Sequence, residues 1–324
     1  MHVIRARNVN DAYQEGMLYL DAHGVRESTR NGEAIVAPEP VTTRYERPWE
    51  RVLFNAHRDA NPFFHLMESI WMLAGRRDVD WLAHFNSGMR KFSDDGINFH
   101  GAYGYRLRHH FGMDQLSECV RMLKENPDDR RVVCSIWHPV NDLGMQSKDI
   151  PCNDAMKFDI RDGKLCMYVF NRSNDAVWGC YGANAVHFPF FQEYVASRVG
   201  VEIGAYYQIS TNFHAYSGIY EAMLENVEAD MGPYDSKVPL TPSQPIISDP
   251  DFFDDDLHRF FGTKWVNVRY SNRWFTNVAV PMRKAWCLRK ENGLKTEAYD
   301  CISREVTAAD WRHACLKWLE RRDQ

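Results

Sequence analysis

The sequence predicts an α+β protein, in which stretches of helix and strand follow one another along the chain. Two patterns support this class: runs rich in β-branched and aromatic residues, which favour strands, and apolar residues repeated at helical spacing. The 324 residues could hold about two average domains, although one α+β domain can also reach this length. No internal repeat or obvious linker divides the chain, so we expect a single domain over residues 1–324.

The first strongly periodic element is a helix from Pro62 to Gly75. Apolar residues cover most of its surface, proline is tolerated in a first helical turn, and glycine favours a helix end. Glu68 lies among these apolar residues. It is either a carboxylate at the helix edge or an acid placed in a pocket, because a buried carboxylate is strongly destabilising unless it is paired or used.

Three strands are predicted after this helix, and each has polar residues beside it. The strands are Val132–Trp137, Lys164–Asn171 and Tyr206–Ser210, and the polar runs are 130–131, 172–175 and 211–216. Two further helices are predicted, His187 to Val199 and Thr307 to Arg322. On the second, the outer face is expected to carry Asp310, Arg312, Lys317 and Glu320.

Composition and charge exclude several classes of protein. The chain has 39 Lys and Arg against 44 Asp and Glu, a net charge of −5, and so has no global basic field for nucleic acid. No apolar run approaches the ~18 residues that span a bilayer, and the first residues do not resemble a signal peptide. The eight cysteines are scattered without CxxC pairs, which favours reduced thiols over a disulfide frame or zinc site. We expect a cytoplasmic protein that binds neither nucleic acid nor membrane.

The candidate chemistry lies in arginines and one cysteine. Arg30, Arg130, Arg131 and Arg172 are suited to a phosphate monoester, because guanidinium groups bind oxyanions with two hydrogen bonds. Each arginine alone is better explained as a solvated surface residue. Cys152 follows a proline in a polar stretch between two strands, and is either an exposed nucleophile or a small buried thiol.

In their order along the chain, these segments resemble the thymidylate synthase family, which includes the pyrimidine-nucleotide hydroxymethylases. The resemblance runs from about residue 26 to 220, and none is seen from about 245 to 324. The segments that carry it are Ser28–Gly32, His65–Trp71, Ala102–Gly104, Pro127–Val133, Pro151–Cys152, Asn171–Asp175 with Gly179, and His214–Tyr216. The resemblance implies a thymidylate synthase-like fold, a mixed β-sheet flanked by helices, with a divergent C-terminal segment.

The resemblance also implies a reaction at C5 of a pyrimidine nucleoside monophosphate. Cys152 would attack C6 as a thiolate and make C5 nucleophilic, and neighbouring arginines, including Arg172, would lower the thiol pKa. C5 would then capture the one-carbon unit of 5,10-methylenetetrahydrofolate. Glu68 would organise water at the C4 side of the base, with Tyr103 near the C5 proton. No metal is implied.

Further residues are assigned to the ligands by the same resemblance. Arg30, Arg172 and Ser173 would bind the 5′-phosphate, with Arg130 and Arg131 from the other subunit of an obligate homodimer. His214 and Tyr216 would bind the sugar hydroxyl. Asp175 would hydrogen-bond the pterin, and Gly179 would let the folate lie close to the backbone.

Departures from the family pattern favour a 5-hydroxymethyl product. Methyl formation needs hydride transfer in a dry, closed site, and the methylating members provide a tryptophan near the reacting carbon and a small apolar tail. The segment 86–92 has Met89 and Phe92 but no tryptophan, and the chain ends in charged residues at 319–324. The alternative is a thymidylate synthase that makes dTMP from dUMP by reductive methylation.

Two more departures concern polar residues of the expected site. Asn153 replaces the usual histidine after the nucleophile, and Asn171 replaces the usual glutamine among the substrate-binding residues. A gapless alignment puts Ala183 at the base-reading position, with Asn184 one place later. An asparagine amide matches uracil in one orientation and cytosine in the other, so the base stays open, as does the sugar.

Two other classes of function are weaker. A cysteine hydrolase built from Cys152 with His187 or His214 would leave the arginines unexplained. A catalytically inactive nucleotide-binding homologue is disfavoured by the retention of Cys152, Glu68, Arg172 and Asp175.

Overall fold

The computed structural model describes residues 1–235, 244–266 and 268–323. The strands are β1 (His2–Ala6), β2 (Val25–Thr29), β3 (Gly32–Val36), β4 (Val41–Tyr45), β5 (Val133–Ser135), β6 (Asn153–Arg161), β7 (Lys164–Asn171), β8 (Asn174–Asp175), β9 (Glu202–Ser210) and β10 (Phe213–Tyr216). The α-helices are α1 (Val9–His23), α2 (Pro62–Leu73), α3 (Val79–Phe85), α4 (Tyr103–Tyr105), α5 (Gln115–Glu125), α6 (Pro139–Asp142), α7 (Ala185–Val199), α8 (Ser217–Leu224), α9 (Phe253–Phe261), α10 (Val280–Lys290), α11 (Lys295–Glu305) and α12 (Ala309–Asp323). Among these helices, none is both long and apolar enough to cross a bilayer.

The larger sheet has the strand order β1-β4-β9-β7-β6-β5. β7 pairs antiparallel with β6 and parallel with β9, so the sheet is mixed, and the predicted α+β class is confirmed. Met156, Phe158 and Met167 on one face are fully buried, and α7 packs against β7 and β9 on this side. On the opposite face Val133 and Phe170 are 51% and 40% exposed, so this face has no apolar cover among the residues that the structure describes.

The helix α2 carries Glu68, and its two ends follow from local chemistry. Asn61 caps the first turn by accepting a hydrogen bond from the backbone N–H of Phe64 at 3.1 Å, and Pro62 occupies the first helical position. The helix ends at Leu73, two residues before the predicted end, and Gly75 follows with a φ of 65°. The predicted strand at 132–137 is likewise shorter, because only the central residues pair with β6.

The smaller sheet has the order β2-β3-β10-β8 and brings together segments that are distant in sequence. Asp175 of β8 pairs with His214 of β10, and Tyr216 pairs with Ala34 of β3. The turn between β2 and β3 carries Arg30, and the φ of 113° at the following Gly32 suits a glycine. This sheet therefore holds the arginine turn beside the histidine and tyrosine of β10.

The C-terminal helices extend the core. Trp286 of α10 and Trp318 of α12 lie with ring centroids 5.6 Å from Phe63 of α2. Phe190 of α7 meets Trp274 at 5.9 Å. These aromatic contacts hold the C-terminal segment against α2 and α7, which both contribute residues to the cavity described below.

One prediction for the last helix is wrong. Asp310 was expected on its exposed face, but it is 3% exposed and accepts a hydrogen bond from the Tyr234 hydroxyl at 2.8 Å. The first turn of α12 faces the core because it packs against the segment that carries Tyr234. The position of Lys317 and Glu320 agrees with the prediction, since they form an exposed ion pair at 3.0 Å.

Candidate active site

A cavity of about 420 Å³ opens between α2, α4, the strand ends and the smaller sheet. This volume is suited to a ligand of small-molecule size. Most of the residues predicted for the site line this cavity. They are Arg30, Glu68, Met89, Phe92, Tyr103, Cys152, Arg172, Ser173, Asp175, Gly179, Ala183, Asn184, His214 and Tyr216. Three others do not: Asn171 lies behind the wall, and Arg130 and Arg131 lie outside.

Cys152 is held in the cavity wall by the chain around Arg172. The Arg172 side chain donates from Nε to the Pro151 carbonyl at 2.8 Å and from Nη2 to the Ile150 carbonyl at 3.2 Å. The Arg172 backbone N–H donates to the Cys152 carbonyl at 3.0 Å. Because these bonds join the two residues directly, an anion held by the exposed guanidinium of Arg172 would lie beside the thiol.

The electrostatic effect on Cys152 differs from the prediction. Burial raises the pKa of the thiol above its ordinary value and outweighs the positive charges of Arg172 and Arg30, which act to lower it. The arginines therefore lower the pKa of the thiol as predicted, but burial raises it by more.

Tyr103 reaches Cys152 from α4. Its hydroxyl accepts a hydrogen bond from the Cys152 backbone N–H at 3.3 Å, and burial raises its pKa well above 10.0, so it is a neutral hydroxyl. The next residue explains why the helix fits here, because a Cβ on Gly104 would lie 1.9 Å from the Met72 carbonyl oxygen of α2.

Glu68 is an acid in a pocket rather than a carboxylate at the helix edge. Its side chain is 15% exposed, and His187 of α7 brings Nε2 to within 3.2 Å of its Oε2. Burial, and secondarily the nearby Asp149, raises the pKa of Glu68 to about 8. Burial lowers the pKa of His187 to about 3, so near neutral pH both groups are mainly uncharged. His187 borders the cavity, and within the described part of the chain its Nε2 has no aligned hydrogen-bond partner.

The raised pKa of Glu68 predicts a specific pH dependence of stability. Between its ordinary pKa of 4.5 and about 8 the folded chain binds more protons here than the unfolded chain. The stability contributed by Glu68 is therefore complete below about 4.5 and is lost as the pH rises to about 8. Urea unfolding of the wild type and of Glu68→Gln from pH 6 to 9 should show their difference in unfolding free energy shifting in favour of the variant up to pH ~8, then levelling. A pH-independent difference would contradict the protonated state.

The end of the cavity near the smaller sheet is suited to a phosphate and a sugar. Arg30, Arg172 and Ser173 supply donors there, and Arg30 and Arg172 are exposed. The Tyr216 hydroxyl accepts a hydrogen bond from Asn31 Nδ2 at 3.1 Å, which fixes it beside the arginine turn. His214 lies next to Tyr216, with ring centroids 5.2 Å apart.

Asp175 and His214 each have a buried polar atom without a hydrogen-bond partner among the described residues. Asp175 Oδ1 accepts from the backbone N–H of Trp178 at 2.6 Å, and the atoms without a partner there are Asp175 Oδ2 and His214 Nδ1. Burial raises the pKa of Asp175, partly offset by His214. Such atoms are strongly destabilising unless a ligand or water satisfies them. Gly179 adds space beside them, because its Cβ would come to 3.2 Å from Asn174 Oδ1. An acceptor beside an open backbone is suited to a ligand that offers N–H groups.

The two candidates for the base-reading position, Ala183 and Asn184, end a π-helical segment, Ala176–Asn184. Ala183 and Asn184 both border the cavity, but only Asn184 brings a polar side chain. Its amide hydrogen-bonds to Asn171, Asn174 and Asn153, which places Asn171 behind the wall as a support.

The other wall of the cavity is apolar. It includes Met89 and Phe92 as predicted, and also Trp71 of α2, whose Nε1 donates to Asp78 at 3.2 Å. A tryptophan is therefore present, although not in the segment 86–92. The chain end lies elsewhere: Asp323 pairs with Arg289 at 2.7 Å and Arg322 pairs with Asp59. Gln324 is outside the described residues.

Arg130 and Arg131 are exposed near the uncovered face of the larger sheet. Arg131 pairs with Asp129 of its own chain at 2.6 Å, and neither arginine lines the cavity. A role for them at the cavity of their own chain is not supported by this geometry. Their predicted role, in the site of a second subunit, stays a prediction.

Comparison with known sequences identifies the family. Residues 11–260 match the family described as thymidylate synthase, which is well over half of the chain. The chain belongs to the thymidylate synthase family. This match extends further at both ends than the range of about 26–220 recognised from the motifs.

Several similar relatives in the thymidylate synthase family come from phages. A deoxyuridylate hydroxymethyltransferase of Pseudomonas phage M6 is 47% identical over 99% of this chain and 95% of its own length. A protein of the same name from Bacillus phage SP01 is 36% identical over 71% of this chain and 66% of its own. A putative thymidylate synthase of Methanothermobacter thermautotrophicus is 37% identical over 44% of this chain and 60% of its own.

Some cavity residues of this thymidylate synthase family member were missed by sequence reasoning. His187 was considered only as a partner for a hydrolytic cysteine, and Asp149, Trp71 and Asn174 were not assigned. Trp71 lies three residues after Glu68, so helical spacing predicts a shared face. His187 and Asp149 come near Glu68 only through the packing of separate elements, for which the sequence has no local signal.

Proposed function

We propose that this protein is a deoxyuridylate hydroxymethyltransferase, which transfers a one-carbon unit from 5,10-methylenetetrahydrofolate to C5 of dUMP and forms 5-hydroxymethyl-dUMP. The observation that carries the proposal is the placement of Cys152, Arg172 and Glu68 around one cavity. The names of the phage relatives support the substrate and the product.

The nucleotide is bound first through its phosphate and sugar. Arg30, Arg172 and Ser173 bind the phosphate, and His214 and Tyr216 bind the sugar hydroxyl. Because Arg172 also holds the carbonyls of residues 150 and 151, phosphate binding orders the segment that carries Cys152. The thiolate then adds to C6 of the base, and the electron pair of the C5–C6 double bond moves toward C5 and the C4 carbonyl.

Glu68 and Tyr103 manage protons on either side of the base. As a protonated acid near neutral pH, Glu68 donates a hydrogen bond toward O4 and stabilises the negative charge that Cys152 attack creates. Tyr103 lies beside Cys152 and acts with bound water on the C5 proton. Both groups are positioned by helices, α2 and α4, rather than by loops.

The folate is held by Asp175 and the backbone at Gly179. The unpartnered Oδ2 of Asp175 accepts from the pterin, and the apolar wall of Met89, Phe92 and Trp71 packs against it. When bound, 5,10-methylenetetrahydrofolate supplies the one-carbon unit to C5.

Water completes the reaction on the nucleotide. Loss of the C5 proton and cleavage of the bond between the transferred carbon and the folate nitrogen leave an exocyclic double bond at C5 and free tetrahydrofolate. A water oxygen then forms a bond to the exocyclic carbon, and the electron pair of the exocyclic double bond moves into the ring. The water gives up one proton, and the later break of the C6–S bond returns the Cys152 thiolate. No hydride is transferred, so tetrahydrofolate is released unoxidised. Arg321 and Asp323 pair with Asp59 and Arg289, away from the cavity.

One observation favours a second product. Trp71 lines the cavity and could exclude water from the reacting carbon, as a methylating enzyme requires. The alternative function is therefore a thymidylate synthase that forms dTMP from dUMP.

We also infer a homodimer with shared sites. The uncovered sheet face, with Val133 and Phe170 exposed, is suited to a second copy of the chain. Arg130 and Arg131 lie near this face, so dimerisation there would bring them toward the partner's phosphate site.

The proposal is tested by product analysis. The purified protein is incubated with 5,10-methylenetetrahydrofolate and dUMP, dCMP, UMP or CMP in parallel, and the nucleotides are resolved by mass spectrometry. We expect 5-hydroxymethyl-dUMP from dUMP as the main product. A methylated product from dUMP would support the alternative, and no product from any of the four would refute one-carbon transfer.

A further inference from the structure

Asn184 borders the cavity, but most of its amide is already used inside the protein. Its Nδ2 donates to Asn174 Oδ1 at 3.1 Å and to Asn171 Oδ1 at 3.4 Å, and its Oδ1 accepts from Asn153 Nδ2 at 3.4 Å. A side-chain amide has two N–H groups and two lone pairs on oxygen. The position left for a ligand is therefore a lone pair of Asn184 Oδ1.

The orientation of this amide is fixed from behind by Gln208. Gln208 Nε2 donates to the Cys180 carbonyl at 3.2 Å, and a backbone carbonyl only accepts, so Gln208 Oε1 must face the other way. Asn174 Nδ2 donates to that Oε1 at 3.2 Å. Asn174 Oδ1 is thereby turned toward Asn184 and can only accept from it.

A second anchor acts through Asn171. Its Nδ2 donates to the carbonyls of Val169 and Ile209, both at 3.2 Å, so its Oδ1 also faces Asn184 as an acceptor. Asn171 and Gln208 are fully buried and Asn174 is 2% exposed. Water therefore does not compete for these groups, and flipping one amide would oppose two acceptors or two donors in a buried site.

We propose that Gln208 and Asn174 determine which pyrimidine the enzyme accepts, by holding the Asn184 amide so that it offers an acceptor and no donor to the base. Uracil has a hydrogen at N3 that this acceptor binds, whereas cytosine has a lone pair at N3 that it repels. Gln208 does not line the cavity, and Asn174 acts through Asn184, so both are positioning residues. The inference rests on the proposed function and adds the cause of its base choice.

The expected effect of removing Gln208 on base choice follows from the same hydrogen bonds. Without Gln208, the Asn174 amide loses the partner that fixes its orientation, because Ser210 Oγ, to which Asn174 Nδ2 also donates at 2.8 Å, is a hydroxyl that can donate or accept. The Asn184 amide is then held against a flip by Asn171 alone, so the flipped amide, which donates to N3 of cytosine, is less strongly disfavoured. Loss of the hydrogen-bond chain from Gln208 through Asn174 to Asn184 is expected to weaken discrimination between uracil and cytosine, although the residues that touch the nucleotide remain.

The test compares Gln208→Met, which keeps the side-chain length but removes both polar groups, with the wild type. The ratio of kcat/KM for dUMP to kcat/KM for dCMP is measured, together with equilibrium binding of each nucleotide without folate. We expect the dUMP-to-dCMP ratio of kcat/KM, and the corresponding ratio of binding affinities, each to fall at least about tenfold in the variant. Asn174→Ala breaks the same link at its other end and should lower the ratios in the same direction.

Gln192→Met is the matched control. Gln192 is also a fully buried glutamine. It donates to the backbone carbonyls of Leu165 and Gly204 and, among the described residues, forms no hydrogen bond in the chain of Gln208, Asn174 and Asn184. It should lower stability and leave both ratios unchanged. Wild-type ratios in Gln208→Met and Asn174→Ala, or an equal fall in Gln192→Met, would overturn the inference. A wild type that makes no 5-hydroxymethyl-dUMP would instead refute the proposed function.

Discussion

Replacing Cys152 with serine is expected to lower turnover of dUMP at least about a thousandfold, because a neutral hydroxyl is a far poorer nucleophile than a thiolate. Binding of dUMP should persist, since the phosphate and sugar contacts come from other side chains. The hydrogen bonds of Arg172 to the carbonyls of residues 150 and 151 do not involve the sulfur, so the segment keeps its position. Turnover is followed by tritium release from 5-³H-dUMP, and binding by calorimetry.

Cys287→Ser is the control for this prediction. Cys287 is a half-buried thiol of α10 that does not line the cavity. It should retain wild-type turnover. Substantial tritium release by Cys152→Ser would remove Cys152 from its proposed role.

Mixing two inactive variants is expected to restore activity. Arg172 belongs to the same site as the Cys152 of its own chain, whereas Arg130 is proposed to serve the partner's site. When Arg130→Ala and Arg172→Ala exchange subunits, each heterodimer has one site with both lesions and one with neither. Random exchange of equal amounts should therefore restore about a quarter of wild-type activity, from almost none in either variant.

The informative control is a mixture of Arg172→Ala with Cys152→Ser. Both lesions lie in the same chain's contribution to a site, so each heterodimer site keeps one lesion and no recovery is expected. Subunit exchange is verified with two differently tagged chains. If exchange is complete and the Arg130→Ala and Arg172→Ala mixture stays inactive, the shared site is wrong.

Much of the fold was predictable because the elements have strong local signals. Lys164–Asn171 is a strand with the predicted bounds, and Pro62 and Asn61 start α2 as capping chemistry requires. The candidate site was also largely predictable, since its residues lie in short motifs whose order matched one family. Each motif alone was ambiguous, as the two interpretations of Glu68 and Cys152 illustrate.

The remainder depends on packing that no local pattern encodes. Asp310 follows the spacing of an exposed position but is buried, because Tyr234, distant in sequence, supplies its partner. The pKa of Cys152 is raised because burial outweighs the arginines, and burial was not known from sequence. The hydrogen bonds that join the Asn184 amide to three other asparagines connect separate elements, and no local pattern in the sequence predicts them.

The fate of the one-carbon unit tests the central claim most directly. The reaction with dUMP and 5,10-methylenetetrahydrofolate is run in ¹⁸O-water, with the nucleotide product analysed by mass spectrometry and dihydrofolate followed by absorbance. We predict one ¹⁸O atom in the 5-hydroxymethyl group and no rise in dihydrofolate, because water rather than hydride reaches the new carbon. Unlabelled dTMP with an equal amount of dihydrofolate would contradict the account and identify a methylating enzyme.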